Sequence, residues 1–214
     1  MGEFDTLQKL YKKLKLQIDN RLLEFKNIWD RFDKYEILFE LIFCILTPQS
    51  KARVCWETVK KIKETNAFIN LNKSTLKNCL YGVRFPNNKL SYLSQLRLDL
   101  DNGKIDKILE IIKTDNDVKR IREILVKNIK GFGYKEASHF LRNIWIGRKL
   151  AILDRHILKN LKKYGIIDSI DYSMSRRHYL YIEKRIYNFS KNLGIPIYYI
   201  DFIFWYNETG DIFK

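Results

Sequence analysis

Two glycines separated by one residue interrupt a pair of amphipathic helical segments, and this feature most constrains how the chain can fold. In LVKNIKGFGYKEASHFLRNIW (residues 125–145), apolar residues recur at helical spacing on both sides of Gly131 and Gly133. Glycine reaches backbone conformations that other residues avoid, so the chain can reverse within a few residues. The sequence therefore predicts two helices joined by a tight hairpin at about residues 129–134.

A hairpin of this kind is suited to bind phosphate. We expect Gly131, Phe132 and Gly133 to leave the amides at the start of the next helix free for an anion, which the helix dipole also attracts. The formal net charge of +15, from 40 Lys and Arg against 25 Asp and Glu, favours a polyanionic partner such as nucleic acid. Two alternatives stay open. The glycines could serve the turn geometry alone, and the charge could reflect a lysine-rich genome.

The rest of the chain is predicted to be helical. Only nine Gly and three Pro occur, and no alternating β-type run is present. We expect about ten helices, with separate first and second helices on either side of residue 20. The longest apolar run, Ile37–Leu46, spans ten residues and contains Glu40, so it predicts a buried helix that is too short for a membrane.

The cysteines and the N-terminal residues indicate the compartment. The three cysteines lack C-x-x-C spacing, which argues against zinc and iron–sulfur sites and favours reduced core thiols. The first residues are polar and charged, unlike a signal peptide. We expect a cytoplasmic protein, associated with the nucleoid through DNA binding, with no membrane contact.

At this point the residues resemble a known family, the helix–hairpin–helix DNA glycosylases. IKGFGYKEA is similar to their hairpin and AILDRHIL to the segment that bears their catalytic aspartate. Together with the final aromatic-then-lysine pattern, these motifs resemble the compact second branch of 8-oxoguanine DNA glycosylases. The iron–sulfur cysteines of the endonuclease III branch are absent from the sequence.

The resemblance implies an all-α, endonuclease III-like architecture with two helical lobes. Residues 31–155 should form a helical barrel that carries the hairpin. Residues 1–30 and 156–214 should form a second lobe that completes the base pocket.

The resemblance also implies two catalytic residues, nineteen positions apart. Lys135 would attack C1′ of the damaged nucleotide and form a Schiff base, and β-elimination would then cut the strand. Asp154 would stabilise the positive charge that develops at the sugar. The alternatives are a solvated or phosphate-contacting lysine, and an aspartate that only caps the helix from Arg155.

Further site residues follow from the same resemblance. Gln49 in LTPQSKA is our candidate for filling the gap that the extruded base leaves. Phe85 and Trp205 would stack on the base, while Asp201 and Lys214, through its side chain or terminal carboxylate, would contact its edge. Core packing is the alternative for each aromatic residue.

These residues predict a bifunctional enzyme that excises 8-oxoguanine from duplex DNA and cleaves the abasic strand. We expect no cofactor and no obligate protein partner, so the chain should act as a monomer on double-stranded DNA that contains oxidised guanine. A monovalent cation could bind the hairpin carbonyls of Lys127, Ile129 and Phe132. Two alternatives stay open: a glycosylase/lyase of the same fold for another oxidised base, and a non-enzymatic helix–hairpin–helix DNA-binding module.

Overall fold

The structure, a computed structural model, describes residues 3–214, and the regular secondary structure of this range is helical. No strand occurs within this range, as predicted. The eleven helices are α1 (Glu3–Arg31), α2 (Lys34–Leu46), α3 (Ala52–Glu64), α4 (Lys73–Cys79), α5 (Pro86–Asp101), α6 (Lys104–Thr114), α7 (Val118–Asn128), α8 (Tyr134–Asn143), α9 (Arg155–Lys163), α10 (Arg176–Leu193) and α11 (Ile197–Thr209).

Helix α1 corrects one prediction. A single helix of 29 residues replaces the two helices expected on either side of residue 20. No glycine or proline interrupts the segment, and buried side chains continue at helical spacing through Leu14, Ile18, Leu22 and Phe25. Because the same apolar stripe runs through the whole segment, packing favours one continuous helix.

Buried apolar side chains form two separate clusters. The first extends from Ile37 to Leu150 and is built on α2–α8. The second joins α1 to the helices α9–α11. Phe213 is the exception, since it follows α11 but packs in the first cluster. The two-lobe division stays a prediction, and this separation of the core supports it.

A buried ion pair links α7 to α10 beside the boundary between the two clusters. Arg122 is 1% exposed and makes two bonds to Glu183, from Nη1 to Oε1 at 2.6 Å and from Nη2 to Oε2 at 2.9 Å. Glu183 Oε1 also accepts the Ala151 N–H at 2.9 Å. The ion pair therefore holds the first residue of the segment 151–153 that leads into α9.

The three thiols are buried and free, as predicted. Burial raises the pKa of Cys44 well above its ordinary value and that of Cys55 to about 11. Among the helices of the described residues, none has the length and apolarity needed to cross a membrane.

Candidate active site

Helix α8, which follows the hairpin, carries three cationic or titratable residues on one face. Lys135, His139 and Arg142 are spaced by four and three positions, so their side chains project from the same side of the helix. His139 and Arg142 are buried, whereas Lys135 is partly exposed. This face carries charge into the core beside the boundary between the two clusters.

The Lys135 amine lies in a largely enclosed position. Its side chain is 19% exposed, and Nζ donates to Thr47 Oγ1 at 3.2 Å. The nearest carboxylate oxygen, Oε1 of Glu136, is 3.8 Å away, at the limit of an ion pair. The amine is thus reachable from solvent and has no close carboxylate partner among the described residues.

Asp154 caps α9, as the alternative interpretation of this residue predicted. Its Oδ1 accepts the N–H groups of His156 at 2.8 Å and Ile157 at 2.9 Å. Both bonds use the same oxygen, which leaves Oδ2 outside the cap. The segment before it is fixed by Tyr179, whose hydroxyl donates to Ala151 O at 2.7 Å. The Asp154 carboxylate is therefore fixed by the α9 amides that follow it and by the Tyr179 contact to the segment that precedes it.

A second acid, Asp201, is buried near Asp154 and Arg142. Burial raises the pKa of Asp201 to about 7, and the Asp154 carboxylate adds to the increase. The Arg142 guanidinium opposes it, as does the Ile152 N–H, although that group lies outside regular hydrogen-bond geometry to the carboxylate. Burial lowers the pKa of Arg142 in turn, against the attraction of Asp201. Asp154, Asp201 and Arg142 thus form one electrostatic group.

Lys214 lies in an aromatic pocket in the first cluster. Its side chain is 7% exposed, and Nζ is 3.6 Å from the centroid of the Trp56 ring. The ammonium group pairs with Glu40, which also accepts Asn143 Nδ2 at 3.0 Å. Burial lowers the pKa of Lys214, and Glu40 opposes this shift.

Lys135 and the Lys214 pocket are linked through His139 and Phe43: Lys135 lies one turn before His139 on α8, and Lys214 Nζ is 5.7 Å from the centroid of the Phe43 ring. Burial lowers the pKa of His139 well below its ordinary value, and the charges of Lys135 and Arg142 add to the decrease. The ring of His139 packs edge-on against Phe43, with the centroids 5.6 Å apart. The predicted nucleophile and the predicted base-contacting lysine are therefore neighbours.

The other predicted base and DNA residues occupy different surroundings. Gln49 is exposed at φ 57 and Phe85 is 50% exposed at φ 55, both in the left-handed region. Trp205 is half-buried and packs edge-on against His156, with the centroids 4.9 Å apart. No ring contact joins Phe85 to Trp205 in the described chain, so their stacking on one base stays a prediction.

Gly131 adopts the positive φ that the predicted turn requires of a glycine, whereas Gly133 does not. Gly131 has φ +90, and a Cβ there would lie 2.6 Å from Cδ2 of Tyr92. Gly133 has φ −106, which other residues also adopt. Its N–H donates to Glu136 Oε2 at 3.0 Å, and the Phe132 N–H donates to Ile129 O at 3.1 Å. These two amides are therefore engaged within the hairpin, and phosphate binding by the amides at the start of α8 stays a prediction.

The carbonyls proposed for a cation are partly engaged. Ile129 O accepts the Phe132 N–H, and the neighbouring Asn128 O accepts Lys104 Nζ at 2.8 Å. A protein cation thus already contacts the carbonyl beside this turn. In the residues that the structure describes, no group of three or more His, Cys, Asp or Glu side chains is arranged to bind a metal ion. The cation stays a prediction.

Sequence reasoning missed the buried polar residues Thr47, Lys89 and Arg142 and the partly buried Trp56, and it assigned Glu40 no role. The sequence does signal a role for Glu40, because it is the only charged residue within the apolar run Ile37–Leu46. A charge in such a run is buried by the helix around it and must find a partner. Arg142 gives no comparable signal, since its surroundings come from other helices.

Comparison with known proteins identifies the family. A family model described as 8-oxoguanine DNA glycosylase matches residues 18–195. The chain belongs to this family. A relative from Fusobacterium nucleatum subsp. nucleatum, named 8-oxoguanine DNA glycosylase/AP lyase, is 43% identical over 216 residues, which covers 99% of this chain and 97% of the relative. A relative of the same name from Korarchaeum cryptofilum is 35% identical and covers 98% and 96%.

Solved structures of the 8-oxoguanine DNA glycosylase family share the fold. The crystal structure of the Methanocaldococcus jannaschii 8-oxoguanine glycosylase/lyase, in complex with a 15mer DNA containing 8-oxoguanine, is 34% identical, with a TM-score of 0.89 and full coverage of both chains. The Thermotoga maritima 8-oxoguanine DNA glycosylase gives a TM-score of 0.84 at 30% identity, covering 99% of this chain and 98% of that one. The resemblance found in the hairpin and in the Asp154 segment is confirmed.

Proposed function

We propose that this chain excises 8-oxoguanine from duplex DNA and then cleaves the strand at the abasic site, with Lys135 as nucleophile and Asp154 as its electrostatic partner. The observation that supports the assignment is the proximity of Lys135 and Lys214: Lys135 lies one turn before His139 on α8, and Phe43 packs against both the His139 ring and Lys214 Nζ. The attacking amine and a residue that contacts the base must both reach the same nucleotide. Lys135 and Lys214 are close enough to each other to do so.

The chemistry starts at the Lys135 amine. In its neutral form Nζ attacks C1′, the glycosidic bond breaks, and the base leaves as the bond electrons pass to its nitrogen. Loss of the amine proton and opening of the sugar ring give a Schiff base. Removal of a C2′ proton then breaks the C3′–O bond and cuts the strand. The hydrogen bond to Thr47 holds the amine near this position.

Asp154 is suited to stabilise the positive charge at C1′. Its Oδ1 is committed to the α9 cap, which fixes the carboxylate, while Oδ2 lies outside the cap. A fixed carboxylate needs little reorganisation when charge develops in the transition state. Capping and catalysis are thus compatible at one residue.

The pocket formed by Lys214, Trp56 and Glu40 is our candidate for reading the base edge. A ring face, an ammonium donor and a carboxylate acceptor match the mixed donor and acceptor edge of an oxidised purine. Asp201 lies beside Asp154 and would act on the sugar side of the same site. Lys214 would need to exchange part of its contact with Glu40 for the base.

A borohydride trapping experiment tests this function. The wild-type chain should form a covalent complex with a duplex that contains 8-oxoguanine opposite cytosine, and Lys135→Gln should form none. Lys12→Gln is the control, because Lys12 is an exposed lysine of α1, outside the hairpin and the candidate site, and should leave trapping intact. A trap that persists in Lys135→Gln would exclude this nucleophile. Duplex binding without a trap on 8-oxoguanine, thymine glycol or an abasic site would indicate a binding module.

The remaining expectations concern the assembly and its location. We propose that the chain acts as a monomer on double-stranded DNA in the cytoplasm, associated with the nucleoid. Light scattering during size-exclusion chromatography of the free protein would measure its mass, and a dimer mass would contradict the first part. Cell fractionation with and without nuclease treatment would test the second.

A further inference from the structure

A buried lysine, Lys89, binds the loop that precedes α3. The residue is 3% exposed, and its ammonium group donates to Leu46 O, to Pro48 O at 3.0 Å and to Ser50 Oγ at 2.8 Å. All three contacts fall within five consecutive residues. This wedge loop, defined as residues 46–50, carries the exposed Gln49 at φ 57 and includes Thr47, the hydrogen-bonding partner of Lys135.

A buried ammonium group is a costly way to hold a loop. No carboxylate lies within ion-pair distance of Lys89 among the described residues. Burial lowers its pKa to about 8, and the positive charge of Lys135 adds to the decrease. Because an uncompensated buried charge opposes folding, stability alone does not account for a lysine here. Perturbed groups of this type concentrate at functional sites.

Ser50 extends the same contact to a second exposed loop. Its Oγ accepts the Arg84 N–H at 3.0 Å in addition to the Lys89 ammonium group. Arg84 directly precedes Phe85, which is half exposed at φ 55. Lys89 and Ser50 therefore link two segments that each hold an exposed non-glycine residue in the left-handed region, Gln49 and Phe85. Backbone strain of this kind persists only where the surroundings impose it.

The same face of α5 also supports the hairpin. Tyr92 lies one turn after Lys89, and its ring would contact any Cβ placed on Gly131 at 2.6 Å. One face of α5 thus contacts the wedge loop through Lys89 and the hairpin through Tyr92, and Ser50 of the wedge loop binds the segment that carries Phe85. A base can leave the duplex only if the backbone is gripped while a side chain enters the stack, so these three elements must keep a fixed relation.

We infer that Lys89 is a positioning residue for base extrusion, which fixes the wedge loop so that Gln49 enters the duplex. This inference rests on the proposed function. It places the effect of Lys89 on the opening of the base pair and assigns it no part in the bond-breaking step. The inference therefore predicts that the need for Lys89 depends on how firmly the lesion is paired.

Single-turnover excision on two duplexes tests the inference. One carries 8-oxoguanine opposite cytosine, and the other carries it opposite a stable abasic analogue, where extrusion costs less. Lys89→Met should lower the rate on the paired duplex by about tenfold to a hundredfold, the range for loss of charged hydrogen bonds. On the unpaired duplex the loss should be at most about threefold, since little extrusion energy is needed there. A similar loss on both duplexes would overturn the inference.

Arg97→Met provides the matched control. Arg97 lies on the same helix and also holds a loop carbonyl, Ile69 O, from Nε at 2.9 Å, but that loop is remote from the wedge loop in sequence and contact. Its loss should change thermal stability and leave the ratio of the two excision rates at the wild-type value. A changed ratio in Arg97→Met would show that any destabilisation of α5 produces the effect and would overturn the inference.

Ser50→Ala keeps the inference testable if Lys89→Met fails to fold. It removes only the hydroxyl shared by Lys89 and the Arg84 N–H, so a smaller loss confined to the paired duplex is expected. An unchanged rate on the paired duplex would overturn the inference. Wild-type protein that releases no base from either duplex would refute the proposed function itself and the inference with it, whereas wild-type release with equal losses in the variants refutes the inference alone.

Discussion

Asp154 has two separable roles, and substitutions can divide them. Its Oδ1 caps α9 through the His156 and Ile157 amides, while Oδ2 lies outside that cap. Asparagine keeps an oxygen that can accept both amides but removes the negative charge. Alanine removes the acceptor and the charge together. The pair Asp154→Asn and Asp154→Ala therefore separates capping from catalysis.

The expected magnitudes follow from this geometry. Asparagine and aspartate are about equal as N-caps, so Asp154→Asn should change the free energy of unfolding by less than about 0.5 kcal/mol. Asp154→Ala should cost about 1 kcal/mol, which for a chain of this size lowers Tm by about 2–4 °C. Both variants should lose excision rate by about 100-fold to 1,000-fold, the usual effect of removing one preorganised electrostatic group.

Thermal unfolding and single-turnover excision measure the two roles independently. Asp117 offers a matched control, because its Oδ1 caps α7 in the same way, accepting Lys119 N at 3.0 Å and Arg120 N at 3.1 Å. Asp117→Asn and Asp117→Ala should reproduce the stability pattern with the excision rate unchanged. Excision at the wild-type rate by Asp154→Asn would refute the electrostatic role. A fall in Tm as large as that of Asp154→Ala would refute the capping geometry.

Two further predictions concern the buried charges around the site. Glu183→Gln should destabilise the chain by about 3–5 kcal/mol in urea unfolding, because it leaves Arg122 buried without a counter-charge. The double variant Arg122→Met with Glu183→Leu should recover most of that loss. A cost below about 1 kcal/mol for Glu183→Gln would contradict the buried pair. The pKa of Asp201 is raised to about 7, so between about pH 4 and 7 the folded chain binds one more proton than the unfolded chain. The free energy of unfolding should therefore fall as the pH rises through that window, by at most about 4 kcal/mol. Asp201→Asn should remove that part of the pH dependence and should have a higher Tm than the wild type at pH 8. If the Tm profiles of the variant and the wild type run parallel from pH 5 to 8, Asp201 does not titrate in that range.

The sequence predicts those parts of the structure that depend on neighbours along the chain. The hairpin, the cap at Asp154 and the helical class follow from local patterns, and each is present. The capping of Gly133 by Glu136 was also within reach, since a carboxylate three positions after an N-cap is the usual capping-box spacing. That signal would have warned that the hairpin amides are not all free.

The parts that could not be predicted depend on long-range packing. Lys214 pairs with Glu40 across 174 positions, and Lys89 binds residues about 40 positions away. Lys89 looks like any other lysine of a basic chain in the sequence, because burial is decided by helices that meet only in the fold. Periodicity assigns a residue to one face of its own helix and leaves the identity of its neighbours open.

The protection of the three thiols bears on how motion in this protein can be measured. Cys44, Cys55 and Cys79 are buried, and the first two are kept protonated near neutral pH by burial. Since the thiolate is the form that reacts with alkylating labels, the native chain should stay unlabelled under mild conditions. Cysteines introduced at exposed positions such as Tyr172 and Tyr81 could then carry a dye pair on the wild-type background. Changes in the spacing of the two core clusters upon DNA binding would become observable without removing any native cysteine.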